Sequence, residues 1–341
     1  MKKSLIALLV ATLPAAAFAD VTIYGKIKGG AEYVDNGVTK QTNIDDLGSR
    51  IGFKGSEDLG NGLKTIWQVE TGFAIDGGSN GSNNGGAYSK SSSGSLANRE
   101  SFIGLQGSFG TIRLGNISNF QDSDMGIVDA WEYNNNALGL GQFTRDAARL
   151  KNSVRYDLPA IVPGLTAALQ YGAKEDKATA SDREIYGLGL GYENSGFFGK
   201  YAYTYEAQQP LTIVGVGSFT ADNNKHRLEV GYNANNLLVA FGYNQIDAKV
   251  ANAAGSEKIK SKDYALTAAY TLGAFTPKFT YGQGETKGLG VTVGKYDQYI
   301  LGVDYAVSKR TTFGAQYGYI NLKDEGTKDQ KAFGLNMVHK F

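Results

Sequence analysis

Alternation with a period of two runs through most of the chain. Leu237, Val239, Phe241 and Tyr243 are interleaved with Leu238, Ala240, Gly242 and Asn244. Tyr264, Leu266, Ala268 and Tyr270 are interleaved with Ala265, Thr267, Ala269 and Thr271. The same spacing sets Leu228, Val230 and Tyr232 against Arg227, Glu229 and Gly231, and Tyr299, Leu301, Val303 and Tyr305 against Gln298, Ile300, Gly302 and Asp304. Successive side chains of a strand point to opposite faces, so each segment is a strand with one large apolar face and one small or polar face. Short connections fall at 58–62, 107–110, 159–164, 194–196, 234–236, 272–274 and 306–310. Long polar ones fall near 35–46, 77–97, 117–147, 175–182, 207–224, 249–261, 286–294 and 323–329. Seven short and eight long connections predict sixteen strands, with both ends on the short-turn side.

The first residues follow a different rule. Lys2 and Lys3 precede an apolar run from Leu5 to Leu13, and Ala17 and Ala19 place small residues at −3 and −1 of a cleavage site before Asp20. That order is a secretory signal peptide, 1–19, leaving a single mature domain, 20–341. No later stretch approaches the ~18 consecutive apolar residues of a membrane-spanning helix.

A secreted β-sandwich would turn the apolar faces into a core. Here the opposite faces carry Gly, Thr, Gln, Lys, Arg and Glu, and sixteen apolar faces exceed what a small interior uses. Turned outward to lipid, they leave a polar, water-filled interior. A closed barrel also leaves no unpaired backbone edge in hydrocarbon. The predicted class is therefore all-β, a transmembrane antiparallel barrel of sixteen strands. Gly, at 46 of 341 residues, stands at about twice average usage. Tyr outnumbers Phe, 21 to 16, which suits a membrane–water boundary. There is no cysteine, hence no disulfide scaffold or thiolate metal site. Without Lys2 and Lys3, 32 basic residues meet 33 acidic ones, a balance that gives no reason to expect a nucleic-acid partner.

Several motifs occur in order along the mature chain. They begin with Asp20-Val21-Thr22-Ile23-Tyr24-Gly25-Lys26, then Gly48-Ser49-Arg50-Ile51-Gly52-Phe53-Lys54-Gly55 and Glu57-Asp58-Leu59-Gly60-Asn61-Gly62-Leu63-Lys64. Trp67-Gln68-Val69-Glu70, Asn98-Arg99-Glu100-Ser101-Phe102-Ile103-Gly104-Leu105, Ser153-Val154-Arg155-Tyr156-Asp157 and His339-Lys340-Phe341 complete the set. Across nearly all of 20–341 the chain resembles the general-diffusion porins of Gram-negative bacteria, most closely the neisserial and related betaproteobacterial porins. The resemblance implies an outer-membrane homotrimer embedded in lipid, each subunit passing ions and small hydrophilic solutes without a cofactor. It implies a third long loop, here 117–147, folded into the lumen. It also implies that Phe341 is a sorting signal for the outer-membrane assembly machinery.

Strand alternation predicts which charges face water. Ile23 and Ile27 outward put Lys26 and Lys28 inward; Ile51 and Phe53 outward put Arg50 and Lys54 inward. Phe102 outward places Arg99 inside, and Leu150 and Val154 outward place Arg149 and Arg155 inside. Glu70 and Arg113 join these as further lumen charges. An arginine facing lipid near the midplane would cost about 2–4 kcal/mol, which favours the inward assignment. Lys26, Arg50, Arg99 and Arg149 also match positions that line the constriction as a basic cluster in related porins. The resemblance sets third-loop carboxylates, here Asp122, Asp124, Asp129 and Glu132, opposite them. Base facing acid sets a transverse field and weak selectivity. Many of these porins carry Arg after the Gly of the fifth strand, where this chain has Gly115-Asn116, so one basic group is missing.

Three other functions compete with this one. A substrate-specific sugar channel would line its lumen with aromatics, but most Tyr residues fall on the outward face. A barrel whose loops bind host molecules is compatible with a pore. A hydrolase would need a local nucleophile and histidine, and His226 and His339 fall at opposite strand ends.

Overall fold

The computed structural model describes residues 20–77, 96–133, 135–173, 184–213, 217–252, 255–288, 290–324 and 326–341. The expected signal peptide lies outside them, as do most of the expected loops 77–97 and 175–182.

The strands are β1 (Asp20–Asp35), β2 (Lys40–Asp46), β3 (Ser49–Gly60), β4 (Leu63–Phe73), β5 (Ser101–Gly107), β6 (Gly110–Ser118), β7 (Arg149–Asp157), β8 (Leu165–Gly172) and β9 (Ile185–Asn194). They continue as β10 (Phe197–Ile213), β11 (Gly217–Ala234), β12 (Leu237–Asn252), β13 (Gly255–Tyr270), β14 (Phe275–Gly288), β15 (Val291–Ala306), β16 (Thr311–Leu322) and β17 (Gln330–Lys340). One helical turn, α1 (Phe120–Ser123), follows β6.

Each strand pairs antiparallel with its neighbours, and β1 closes the sheet by pairing with β17 from Lys26↔Lys340 to Asp35↔Lys331. The last residue extends the seam: Gly25 N–H donates to the Phe341 carbonyl at 3.0 Å, and Phe341 N–H donates back at 3.1 Å. Both β2 and β3 pair with β1, so they are two halves of one barrel strand and the barrel has sixteen. The break has a local cause. The Asp46 carboxylate accepts from the backbone N–H groups of Gly48 and Ser49, which replaces the ladder at that point.

Alternation sorts the faces as the sequence predicts. Val239 and Phe241 are exposed around fully buried Ala240, and Tyr299 and Leu301 are exposed around fully buried Ile300. The short turns use residues that tolerate positive φ: Asn235 and Asn236 at 54° and 64° suit the hairpin twist. Four of the expected long loops are mostly strand. At 35–46, 207–224, 249–261 and 286–294 the paired strands run on, β10 and β11 reaching 17 and 18 residues. Polarity was the wrong guide there. A hairpin in water still satisfies its backbone groups by pairing, whatever its side chains.

Candidate functional site

The charged residues of β1 to β7 come together on the face opposite the exposed apolar residues. Glu70 of β4 is buried at their centre. It accepts from Arg99 Nε at 2.6 Å and from the Tyr24 hydroxyl at 3.1 Å, and stands 3.7 Å from Arg50 Nε. Arg50 senses the charges of Arg99 and Arg149, Arg149 that of Arg99, and Lys26 that of Arg50, so the four form one cluster. The segment after β6 brings two carboxylates to it. Glu132 meets Lys28 Nζ at 2.5 Å and Lys26 Nζ at 4.0 Å, and Asp122 meets Arg149 at 3.5 Å. Lys28 is thus the tighter partner.

Other expected site residues sit around this cluster. Arg155 joins Asp124 at 2.9 Å and Asp157 at 2.8 Å, its guanidinium 4.4 Å from the Phe120 ring centre. Arg113 pairs with Asp157 at 2.7 Å and Glu100 at 3.6 Å. Lys54 is exposed, over the Tyr24 ring at 5.4 Å. Asp129 stands apart, accepting from Trp131 N–H at 3.3 Å.

Two residues expected on the outer face lie elsewhere. Phe102 does not point to lipid; Ile103 and Leu105 do, and Phe102 lies under the Arg113 guanidinium at 5.3 Å. Arg99 still reaches Glu70 because it precedes β5 in a bend, where alternation does not apply. Leu150 is buried, paired with fully buried Ile117. A register shift between Gly115 and Ile117, opposite Asn152 at φ 53°, inserts an extra residue and resets the alternation of β7.

The segment 119–148 is held to β10–β17 by residues that sequence reasoning did not single out. Arg227 of β11 forms an ion pair with Asp146 in which both side chains are fully buried. It also donates to the carbonyls of Phe143 at 2.9 Å and Gln121 at 3.1 Å. Two residues on, the buried Glu229 carboxylate accepts from the N–H groups of Ile127 at 2.8 Å, Gly126 at 2.9 Å and Val128 at 3.3 Å. Trp131 Nε1 donates to Thr280 at 2.9 Å, Gln298 to the Gly139 carbonyl at 2.7 Å, and Gln316 to the Leu138 carbonyl at 2.6 Å. Val128, Trp131, Leu140 and Phe143 bury themselves against Phe198, Ala240, Ala265 and Ile300. Glycine makes room: a Cβ at Gly242 would lie 2.5 Å from the Phe143 ring, and one at Gly318 would strike the Ala137 carbonyl. The signal for Arg227 and Glu229 was present, since they alternate with outward Leu228 and Val230. Nothing local linked them to 119–148.

The environment tunes the carboxylates of this segment. Burial pushes Asp129 up to about 7, against the Trp131 N–H bond and with help from the charges of Glu132 and Glu229. Burial also works to raise Glu132, but the ammonium groups of Lys28 and Lys26 outweigh it and hold the carboxyl below its ordinary value.

Residues 4–325 match the Gram-negative porin family. The chain belongs to that family. It is 40% identical to the major outer membrane protein P.IB of Neisseria meningitidis serogroup B and 39% identical to that of Neisseria sicca, covering 100% of both chains in each case. Among solved structures, an anion-selective porin from Comamonas acidovorans superposes with a TM-score of 0.76 at 22% identity, over 95% of this chain and 100% of that one. The trimer form of OmpT from Vibrio cholerae does so at 0.70 and 17%, over 95% and 99%; at such identities the likeness is one of fold. This porin is an outer-membrane channel for passive diffusion.

Proposed function

We propose that residues 119–148 lie inside the barrel and narrow it, and that the basic cluster and the carboxylates Asp122 and Glu132 face each other at the narrowest point. The observation that carries this reading is the Lys28–Glu132 pair at 2.5 Å, which joins an inward position of β1 to the segment. Lys26, Lys28, Arg50, Arg99 and Arg149 meet three carboxylates there, Glu70, Glu132 and Asp122, an excess of two positive charges. In a narrow, low-dielectric passage that excess gives a weak preference for small anions, and the transverse field orients polar solutes. Asp124 helps to hold the segment in place through Arg155. Zero-current potentials test the reading. Arg50→Glu shifts the pore toward cations, most clearly at low salt, and Lys258→Glu on the exposed hairpin shifts it less. Equal shifts from both would reduce Arg50 to an ordinary lumen charge.

The same reading takes residues 1–19 as a cleaved export signal, so that N-terminal sequencing of the outer-membrane form starts at Asp20. It makes the porin a homotrimer in contact through the exposed Ile23, Ile27, Phe333, Leu335 and Met337, as the trimeric Vibrio relative favours. Unheated detergent extracts then migrate near trimer mass. It treats Phe341 as the residue read by the assembly machinery. It assigns no catalytic step: His226 bonds Tyr201 and His339 bonds Thr311, each on a different part of the wall.

A further inference from the structure

Neighbouring strands around the barrel follow one another in the chain, but β1 and β17 come from its two ends and are joined by pairing alone. The sheet can therefore part along that seam, which runs from Lys26↔Lys340 to Asp35↔Lys331. On its other side β1 is interrupted. Its ladder to β3 ends at Lys26 and its ladder to β2 starts at Gly29, so Ile27 and Lys28 fall between the two. Local bonds bridge the gap: Lys28 N–H donates to Ser49 Oγ at 2.9 Å, and Leu47 N–H donates to the Lys28 carbonyl at 3.0 Å. A seam and a break thus flank the same stretch of β1.

Residues 132–138 lie across that stretch. Glu132 meets Lys28 Nζ at 2.5 Å, and its carbonyl accepts from the same ammonium at 3.3 Å. Tyr133 reaches the seam itself. Its hydroxyl stands 3.0 Å from the Ala31 carbonyl of β1 and 2.7 Å from the Leu335 carbonyl of β17, two residues directly opposite each other in the ladder. A phenol has one proton, so it donates to one carbonyl at a time and can pass between them. Two glycines admit the ring: a Cβ at Gly334 would lie 2.7 Å from it, and one at Gly30 would strike its hydroxyl. Asn135 donates to Glu32 of β1, while Gln316 of β16 donates to the Leu138 carbonyl at 2.6 Å. Leu47, from the break between β2 and β3, is buried in one cluster with Tyr133, Leu138, Ile320 of β16 and Ala332 of β17.

We propose that residues 132–138 are an internal clasp on the closure seam, with Tyr133 as the residue that holds β1 and β17 together. The clasp rests on the placement of residues 119–148 inside the barrel, and not on any action on ions. A hydroxyl shared by two strands loses one of its carbonyls when the strands separate, and the glycine notch opens with them. The contacts of the clasp are therefore complete only while the seam is shut, and they favour the closed barrel. Elsewhere the segment bonds to strands already joined through a turn. Trp131 Nε1 donates to Thr280 of β14 at 2.9 Å, and Arg227 of β11 donates to the Phe143 carbonyl at 2.9 Å. Those bonds hold the segment without spanning the seam.

The test is amide hydrogen exchange of the folded porin, as extracted in mild detergent, read strand by strand. Tyr133→Phe keeps the ring in its notch and removes the hydroxyl. Exchange at residues 29–34 of β1 and 332–337 of β17 rises about fivefold, the worth of one such bond. At 239–243 of β12 and 264–268 of β13 it stays within about twofold of native. Leu138→Ala leaves the hydroxyl, empties part of the cluster and loosens the same seam residues; if Tyr133→Phe does not assemble, it is read in the same way. Thr280→Val removes the partner of Trp131, speeds exchange along β13 and β14 and leaves the seam as native. The inference is overturned if Tyr133→Phe leaves the seam within about twofold of native. An equal rise at β12 and β13, or an equal loosening of the seam by Thr280→Val, would also overturn it. If none of the three variants changes exchange on any strand, the placement of the segment inside the barrel fails, and the clasp fails with it.

Discussion

The two walls of the barrel treat the segment 119–148 in opposite ways. Against β10–β17 it is docked, with apolar side chains buried and backbone groups taken up by Arg227, Glu229, Gln298 and Gln316. Against β1–β7 fewer such contacts remain, chiefly Tyr133 on the Ala31 carbonyl and Leu47, and ion pairs join them: Glu132 on Lys28 and Lys26, Asp122 on Arg149, Asp124 on Arg155. One wall fixes where the segment lies, and the other supplies the field it faces. Burial and hydrogen bonding make a rigid support, because each lost contact leaves an unsatisfied group. Partly exposed ion pairs make a poorer support, because solvent screens them.

Breaking the docked side has the largest effect. Arg227→Ala leaves Asp146 buried and unpaired, a cost of about 3–5 kcal/mol in docking the segment. The expected result is a lower unfolding midpoint, a noisier open channel and new protease cleavage within 120–147. A quiet, protease-resistant channel in this variant would show that the apolar contacts suffice.

Altering the facing side changes selectivity more than stability. Glu132→Gln frees Lys28 and Lys26 from their carboxylate. Anion preference rises roughly two- to fivefold in permeability ratio, equivalent to about 0.4–1 kcal/mol, and the rise shrinks at high salt as screening grows. An unchanged reversal potential would separate Glu132 from the conduction path.

Asp129, beside the docked face, gives a pH-dependent effect. Its folded value of about 7 lies above the ~3.9 of an unfolded aspartate. The ionised form is therefore disfavoured in the folded protein. That penalty is absent below about pH 4 and grows as pH rises through 7. Asp129→Asn should raise the unfolding midpoint at pH 8 and leave it unchanged at pH 4. The same shift at both pH values would mean that burial does not raise this carboxyl.

Lys54 should matter least. It is exposed, its recorded contact is with the Tyr24 ring, and it lies outside the central cluster. Lys54→Gln is expected to leave the reversal potential within experimental scatter. A shift as large as that of Glu132→Gln would extend the constriction toward the short-turn end.

Most of the barrel could be read from the sequence, since alternation is a local property. Side chains two residues apart share a face whatever the rest of the chain does. That rule placed Lys28, Arg50, Glu70 and Arg155 on the second face. It failed where the backbone departs from a regular strand, at the bend before β5 and the bulge in β7, and there Phe102 and Leu150 were misassigned.

Only the tertiary structure decided how the segment 119–148 is held. Glu229 and Gly126 are 103 positions apart, and Gln316 and Leu138 are 178. No pattern within a window of the sequence encodes such pairs. They exist because closing the barrel brings distant strands together beside the segment, and burial then requires partners for its backbone groups. The sequence by itself set the faces, the strand number and the family; closure set which inward residues hold the segment and which face it.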